Sequence, residues 1–524
     1  MHWIWQTKNT ESEARTMASK LARHQYLKTS ILAICLLLVA KVEQTKGQSA
    51  CKDIVSLPSL SDWGIDSLYH MDRGIRGAAS CAASSCHGGP RAGVSSADAS
   101  RGSEYPLWLE RDPHAQSWKT LSSDASVQIL TKLRILRDGK IANLAAYENC
   151  LACHNTDRKI EIDQLFPRIA EGVGCESCHG PSESWYDSHY QGPNSSKNAI
   201  SNLGLTDSRA LIQRAKICST CHVGSKDRDM NHDIIAAGHP ALYFDMAVYH
   251  EAYPKHWRDA EQNATDFRSQ LWLAGKIAMV ESELELLESR ACKSLPVSTW
   301  PELANYQCNS CHVTLSGIPK PTHAMDRDSV VTGRAPVRNW NLEGIAVLSQ
   351  NQVQSESRRS ACPQADNPIA SQIQYGPDLL VSLNDLLALL QSPNPDSKLV
   401  AAKSQRLRIQ LLNALNQNGK LTLPNWTRQD QMEISIQLLE KTTRSNSWET
   451  AAGAYTAVWA TDPTIASGKL DVAMKTMRNG LLFPKDLTMP IFPRSPNEVT
   501  PPTWKEWDDS LQQTVSVLKN EDRK

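Results

Sequence analysis

CLACH at residues 150–154 and GVGCESCHGP at residues 172–181 decide the reading of this chain, because each holds two cysteines separated by two residues and followed at once by histidine. The pattern returns as CSTCH at 218–222 and CNSCH at 308–312, making four copies in one sequence. At this composition the chance expectation is on the order of 0.01 copies. Two thiols at this spacing can form thioethers with the two vinyl groups of a porphyrin, and the adjacent imidazole is then carried beneath the ring to the iron. A zinc site would want a second pair of Cys or His at finger spacing and would not require His after every second Cys. A redox dithiol would not recur along the chain. The expected attachment residues are therefore Cys150, Cys153, Cys175, Cys178, Cys218, Cys221, Cys308 and Cys311, with His154, His179, His222 and His312 as axial ligands.

CAASSCH at 81–87 is the same motif with two more small residues between the cysteines, which lengthens the loop and leaves the Cys-His pair intact. Counting Cys81, Cys86 and His87 as a fifth site gives an expectation of five covalently attached haems c. Ten of the 14 cysteines are then used, and Cys35, Cys51, Cys292 and Cys362 remain. Cys292 and Cys362 either close a disulfide or stay as buried thiols.

The sixth position of each iron separates an electron carrier from a substrate-binding site. Outside the motifs, His232 and His239 follow the fourth site in a short Gly-containing stretch, and His323 follows His312; all three suit distal ligation. His70 is a further candidate. His250 and His256, in YHEAYPKHW at 249–257, read as residues that cap or solvate a helix end.

The segment GVGCESCHGP, together with the order of sites from Cys81 to His222, resembles the tetrahaem cytochromes c that take electrons from hydroxylamine oxidoreductase. That resemblance implies distal ligation by His114, within DPHA at 112–115, and by His189. It also implies an open iron at the second site along the chain, the one at Cys150, Cys153 and His154. The site at Cys308 and the C-terminal third lie outside the resemblance. Five haems also bring to mind the ammonia-forming nitrite reductases, but their Cys-x-x-Cys-Lys motif is absent here.

The rest of the chain organises around the motifs. SILAICLLLVA at 30–40, preceded by basic residues, reads as the apolar core of a signal peptide and is too short to span a bilayer; residues 1–50 are a cleaved signal or an uncleaved anchor. Residues 51–340 hold every motif and are rich in Gly, Pro and Ser, with one long helical pattern at 260–292. Residues 341–524 contain no histidine and no motif, and read as an all-helical cap with helices at 376–392, 396–416, 429–442 and 448–460. The expected fold is thus mainly α, a loop-rich multihaem cytochrome c domain followed by an all-helical domain. Lys+Arg and Asp+Glu balance at 56 each, which removes the usual reason to expect nucleic acid or an anionic membrane as partner. The expected function is periplasmic electron transfer between redox proteins. The alternative is reduction or oxidation of small nitrogen or sulfur compounds at one open iron.

Overall fold

The computed structural model describes residues 74–89, 102–159, 170–190, 203–257, 266–292, 300–307, 335–338, 340–342, 377–417, 420–424, 426–445, 448–461, 469–480 and 504–522. All belong to the unit from Ser56 to Lys524. The expectations placed on residues 1–50, on His70 and on Cys308, Cys311, His312 and His323 lie outside the described residues.

The architecture is mainly α, as the sequence predicts. Its first part is a series of short helices: α1 (Glu104–Arg111), α2 (Asp124–Lys132), α3 (Leu144–His154), α4 (Cys175–His179), α5 (Leu211–His222), α6 (His232–Ala237) and α7 (Met246–Ala252). Side-chain caps start several of them. Asn143 accepts from the Ala146 amide, Asn231 from Ile234, and Asp245 from Ala247 and Val248, each satisfying a first-turn N–H. The strands β1 (Leu136–Arg137) and β2 (Lys140–Ile141) form a two-residue antiparallel ladder turned by Asp138 and Gly139, both at positive φ as a tight hairpin requires. Apolar cores here are small. One gathers Leu130, Ile135, Leu136, Tyr147 and Leu151, another Ala78, Trp108 and Ala115.

Helix α8 (Phe267–Ala291) is the structural axis. Its 25 residues extend about 37 Å at the α-helical rise. Apolar side chains occupy all of its faces, including Leu271, Trp272, Leu273, Ile277, Met279, Val280, Leu284 and Leu287, so it is buried all round. It packs against α5, α7 and α10 (Ser397–Leu415). The remaining helices are α9 (Pro377–Leu390), α11 (Arg428–Ser445), α12 (Trp448–Trp459), α13 (Lys469–Gly480) and α14 (Trp504–Asp522). Four of the helices beyond residue 341 fall where periodicity marks them, whereas α13 and α14 do not emerge from the sequence pattern. Asp396 caps α10 by accepting from Leu399 N at 2.9 Å. A second hairpin, β3 (Asn416–Gln417) with β4 (Lys420–Leu421), follows α10.

Charge as well as apolar contact joins α5, α8 and α10. Glu281 on α8 receives Arg408 Nε of α10 at 2.7 Å and forms an ion pair with Lys216 of α5, all three being nearly inaccessible to solvent. Lys216 also reaches Ser282 Oγ at 3.0 Å. It lies two residues before Cys218, so the ion cluster ties an attachment motif to the helices beyond residue 341. At the end of α8, Cys292 is in a disulfide and is not a free thiol. Its partner lies outside the described residues.

Candidate functional site

A cysteine at i, a second at i+3 and a histidine at i+4 share one face of an α-helix, so a helical turn aims all three side chains the same way. The structure uses this directly. CLACH forms the last turn of α3, CSTCH the last turn of α5, and CESCH the whole of α4. The longer first motif is built otherwise. A 3-10 turn (Ala78–Cys81) leads into a tight turn in which the amides of Cys86 and Gly88 both donate to Ala83 O, at 2.8 and 3.0 Å. A Cβ on Gly88 would stand 1.7 Å from Ala82 O, so the turn requires glycine there.

Each described motif histidine faces one other histidine. The ring centres of His87 and His189 are 6.4 Å apart, those of His154 and His239 6.3 Å, those of His179 and His256 6.5 Å, and those of His222 and His114 6.0 Å. The separations exceed contact between rings and agree within 0.5 Å across four unrelated pairs of segments. Two imidazoles bound trans to one metal ion through bonds of about 2 Å would hold their ring centres roughly 6 Å apart. The residues therefore fit an iron between each pair.

The second ring nitrogens reinforce the fit. His87 Nδ1 meets Glu104 Oε2 at 3.1 Å, His114 Nδ1 meets Asp112 Oδ1 at 2.9 Å, and His239 Nδ1 meets Pro240 O at 2.9 Å. His154 Nδ1 lies 2.9 Å from Thr120 Oγ1 and 3.1 Å from Ser117 O, and His189 Nδ1 is bonded to the Tyr186 carbonyl. A neutral imidazole that donates from Nδ1 keeps its lone pair on Nε2, the tautomer a metal needs. Burial favours the neutral form too. Desolvation brings His179 down to about 4 and His222 to about 3, and also lowers His154, His239 and His256. His114 goes the other way: desolvation lowers it, but the hydrogen bond and charge of Asp112 outweigh burial.

The thiols of Cys150 and Cys218 are pushed up by burial, to about 11 and about 12. The cysteines also show which motifs adjoin. The side chains of Cys81 and Cys175 are within hydrogen-bonding reach of each other, as are those of Cys153 and Cys221, while Cys178 interacts electrostatically with Cys218 and Cys221. The four described motifs thus run in space as first, third, fourth, second.

Glycines allow this closeness. Gly172, at φ +80, packs against the turn that carries His114; a Cβ there would lie 2.3 Å from His114 O. A Cβ on Gly180, at φ +81, would lie 2.4 Å from Gly204 O. Gly172→Ala is expected to cost about 1–3 kcal/mol through the positive φ and the displaced carbonyl. It is also expected to disturb the imidazole of His114, visible as a lowered melting temperature together with a changed low-spin iron signal. A variant that melts and absorbs as the parent does would refute the bracing role.

Among the sequence candidates, His114, His189 and His239 each face a motif histidine. His232 opens α6, with its amide on Glu302 Oε1 at 2.8 Å, and stands outside the four pairs. His250 is buried, its Nε2 against Arg214 Nη1 at 2.9 Å. The residue that the sequence reading set aside is His256, whose ring lies opposite His179 rather than in solvent. Its place in the fold after α7 brings it there, and no signal in its local sequence singles it out. Asp112, Tyr253, Thr120 and Glu104 were likewise not foreseen as the partners of these rings.

The chain matches the family model described as cytochrome c554 and c-prime over residues 80–180. That stretch holds the first three motifs and His114. Searches among curated proteins and solved structures found no match. Over those residues the match supports a multihaem c-type cytochrome with covalently bound haem c, involved in electron transfer.

Proposed function

We propose that the chain is a periplasmic pentahaem cytochrome that conducts electrons between redox partners, with two histidines on each of at least four irons. The observation that carries this reading is the set of four ring pairs at 6.0–6.5 Å. His87 with His189, His154 with His239, His179 with His256 and His222 with His114 are the proposed axial pairs. Haem supplies a reversible one-electron couple. The protein's part is to keep both imidazoles neutral and fixed, so that neither leaves when the iron changes charge, and to exclude water from the buried rings of His179 and His222. His222 is packed against Phe244 and Tyr249, with ring centres at 5.1 and 5.2 Å.

The adjoining thiols of the first and third motifs, and of the second and fourth, favour conduction, because attached macrocycles at such sites are close neighbours. The competing reading, catalysis at an open iron, depended on the site at Cys150, Cys153 and His154. His239 facing His154 argues against it. The haem at the motif of Cys308, Cys311 and His312 rests on those residues alone, and of the histidines outside the four pairs, which also include His70 and His250, His232 and His323 are the proposed candidates for its distal side. The apolar run at Ser30–Ala40 supports export, with an uncleaved anchor as the one route to membrane attachment, and residues 341–524 are proposed as a redox-inactive cap.

Pyridine haemochrome analysis and intact mass of the purified holoprotein are expected to give five haems per chain. Four, with Cys81 and Cys86 free or joined in a disulfide, would refute attachment at the longer motif. Low-temperature electron paramagnetic resonance is expected to show at least four low-spin ferric irons per chain, and fewer would overturn the ligand pairs.

A further inference from the structure

The eight rings of the four pairs differ in what holds their second nitrogen, and one stands apart. Asp112 is 2% exposed, and its Oδ1 accepts from both Nδ1 and the backbone amide of His114, at 2.9 and 3.0 Å. Its Oδ2 accepts from the hydroxyl of Tyr253, whose ring centre lies 5.8 Å from that of His114. The other carboxylate in the set, Glu104 on His87, is a weaker case: the Glu104 side chain is 25% exposed and that of His87 is 44% exposed. His154 has a hydroxyl and a carbonyl as partners, and His189 and His239 have carbonyls. His256 Nδ1 is buried without a hydrogen-bond partner. Among the described residues, His114 is the one paired imidazole bonded to a buried carboxylate.

We infer that Asp112 and Tyr253 together set the reduction potential of the haem attached at Cys218 and Cys221, making it the lowest of the four described sites. A carboxylate that accepts the Nδ1 proton draws it away from the ring and gives the imidazole part of the character of an imidazolate. Such a ligand donates more strongly and favours ferric iron. Low dielectric around Asp112 strengthens the effect, since little solvent competes for the carboxylate. Tyr253 acts in the opposite sense. Its hydroxyl takes a share of the same negative charge, so the pair is a graded device in which the phenol moderates the carboxylate. Asp112 and Tyr253 are positioning residues: they act through His114 and do not touch the iron.

The arrangement has a consequence for conduction. The second and fourth motifs adjoin through Cys153 and Cys221, yet one site has the carboxylate-backed ligand and the other has a hydroxyl and carbonyls. The two potentials therefore differ, and an electron shared by this pair rests at the site of Cys150 and Cys153. Glu104 makes the same distinction, more weakly, between the first and third motifs, which adjoin through Cys81 and Cys175.

The inference rests on His114 and His222 being axial partners, and the test separates the two. A redox titration of the full holoprotein, followed by the low-spin signals in electron paramagnetic resonance, is run on three variants. His114→Ala is expected to convert one low-spin iron to high-spin, which identifies the site; no conversion would overturn the ligand pair and the inference with it. In Asp112→Asn the amide oxygen still accepts from Nδ1 but the charge is gone, and the potential of that site is expected to rise. The neighbour at Cys175 and Cys178 is expected to follow by less, because the charge of Asp112 also reaches Cys178 and His256. In Tyr253→Phe the charge stays and the moderating donor is lost, so the potential of the site is expected to fall. Opposite shifts support the inference. Shifts of the same sign, as general loosening of the site would produce, or no shift in either variant with the low-spin signals intact, would overturn it.

Discussion

His239→Ala is expected to turn one low-spin iron per chain into a high-spin, ligand-reactive one, and to leave the other described sites unchanged. The ring of His239 faces that of His154 at 6.3 Å, and its Nδ1 is engaged by its neighbour's carbonyl, so its Nε2 would be the nitrogen left to hold an iron bound at His154. Removing the ring leaves that position to water or an added ligand. An axial ligand is present or absent, so the change is all-or-none at that site. Electron paramagnetic resonance should gain one high-spin component, and cyanide or nitric oxide should bind at one more equivalent than in the parent. A parent protein that already carries a reactive iron at this site, or a variant indistinguishable from it, would return the chain to the open-haem reading. His239→Ala is also the natural test of catalysis: nitrite or hydroxylamine turnover that appears only in the variant shows that closure by His239 keeps the parent a carrier.

Glu281→Ala is expected to destabilise the chain by about 3–5 kcal/mol, the cost of leaving buried cations without their partner. Lys216 and Arg408 both converge on this carboxylate from different helices, and all three are nearly sealed from solvent. Burial would raise the Glu281 pKa, but the charges and hydrogen bonds of Lys216 and Arg408 overcome it and hold the group down to about 2, against an ordinary value of 4.5. A carboxyl depressed in the folded state contributes stability that is fully present above pH 4.5 and is lost as pH falls towards 2. Denaturant unfolding of the holoprotein at several pH values should therefore show the difference between parent and Glu281→Ala shrinking through that window. A difference that does not depend on pH would exclude ionisation of Glu281 as the source. Because Lys216 lies two residues before Cys218, the loss should also be visible in the spectrum of the haem attached there.

Helix α8 and the helices α9 to α12 were legible because apolar residues recur at helical spacing through 260–292 and beyond residue 376. The pattern failed for α13 and α14. The short helices α2 to α7 are set by caps at Ser123, Asn143, Asn231 and Asp245 and by the cysteine-histidine motifs, features too local to give a periodic signal. The motif cysteines and histidines stand out for an equally local reason, since each motif lies within a few consecutive residues. The mainly α class follows from the same local signals. None of them measures distance between segments.

Pairing of histidines is a matter of tertiary structure. His114 lies 108 positions before His222 in the chain and His256 lies 77 after His179, and nothing in the local sequence of either reports what stands opposite. The resemblance suggested ligand roles for His114 and His189, yet it also suggested an open second site, where the fold sets His239 against His154. His256 was read as a helix end because an aromatic and basic neighbourhood looks solvated on paper; packing after α7 turned its ring inward to within 6.5 Å of His179. By itself the sequence marked which cysteines could attach haem, because covalent attachment depends on residues a few positions apart. Which second histidine faces each described motif histidine, which motifs adjoin, and which ring is backed by a buried carboxylate were decided only by the folded chain. Those features depend on separations of a few ångströms between segments that the backbone brings together from far apart.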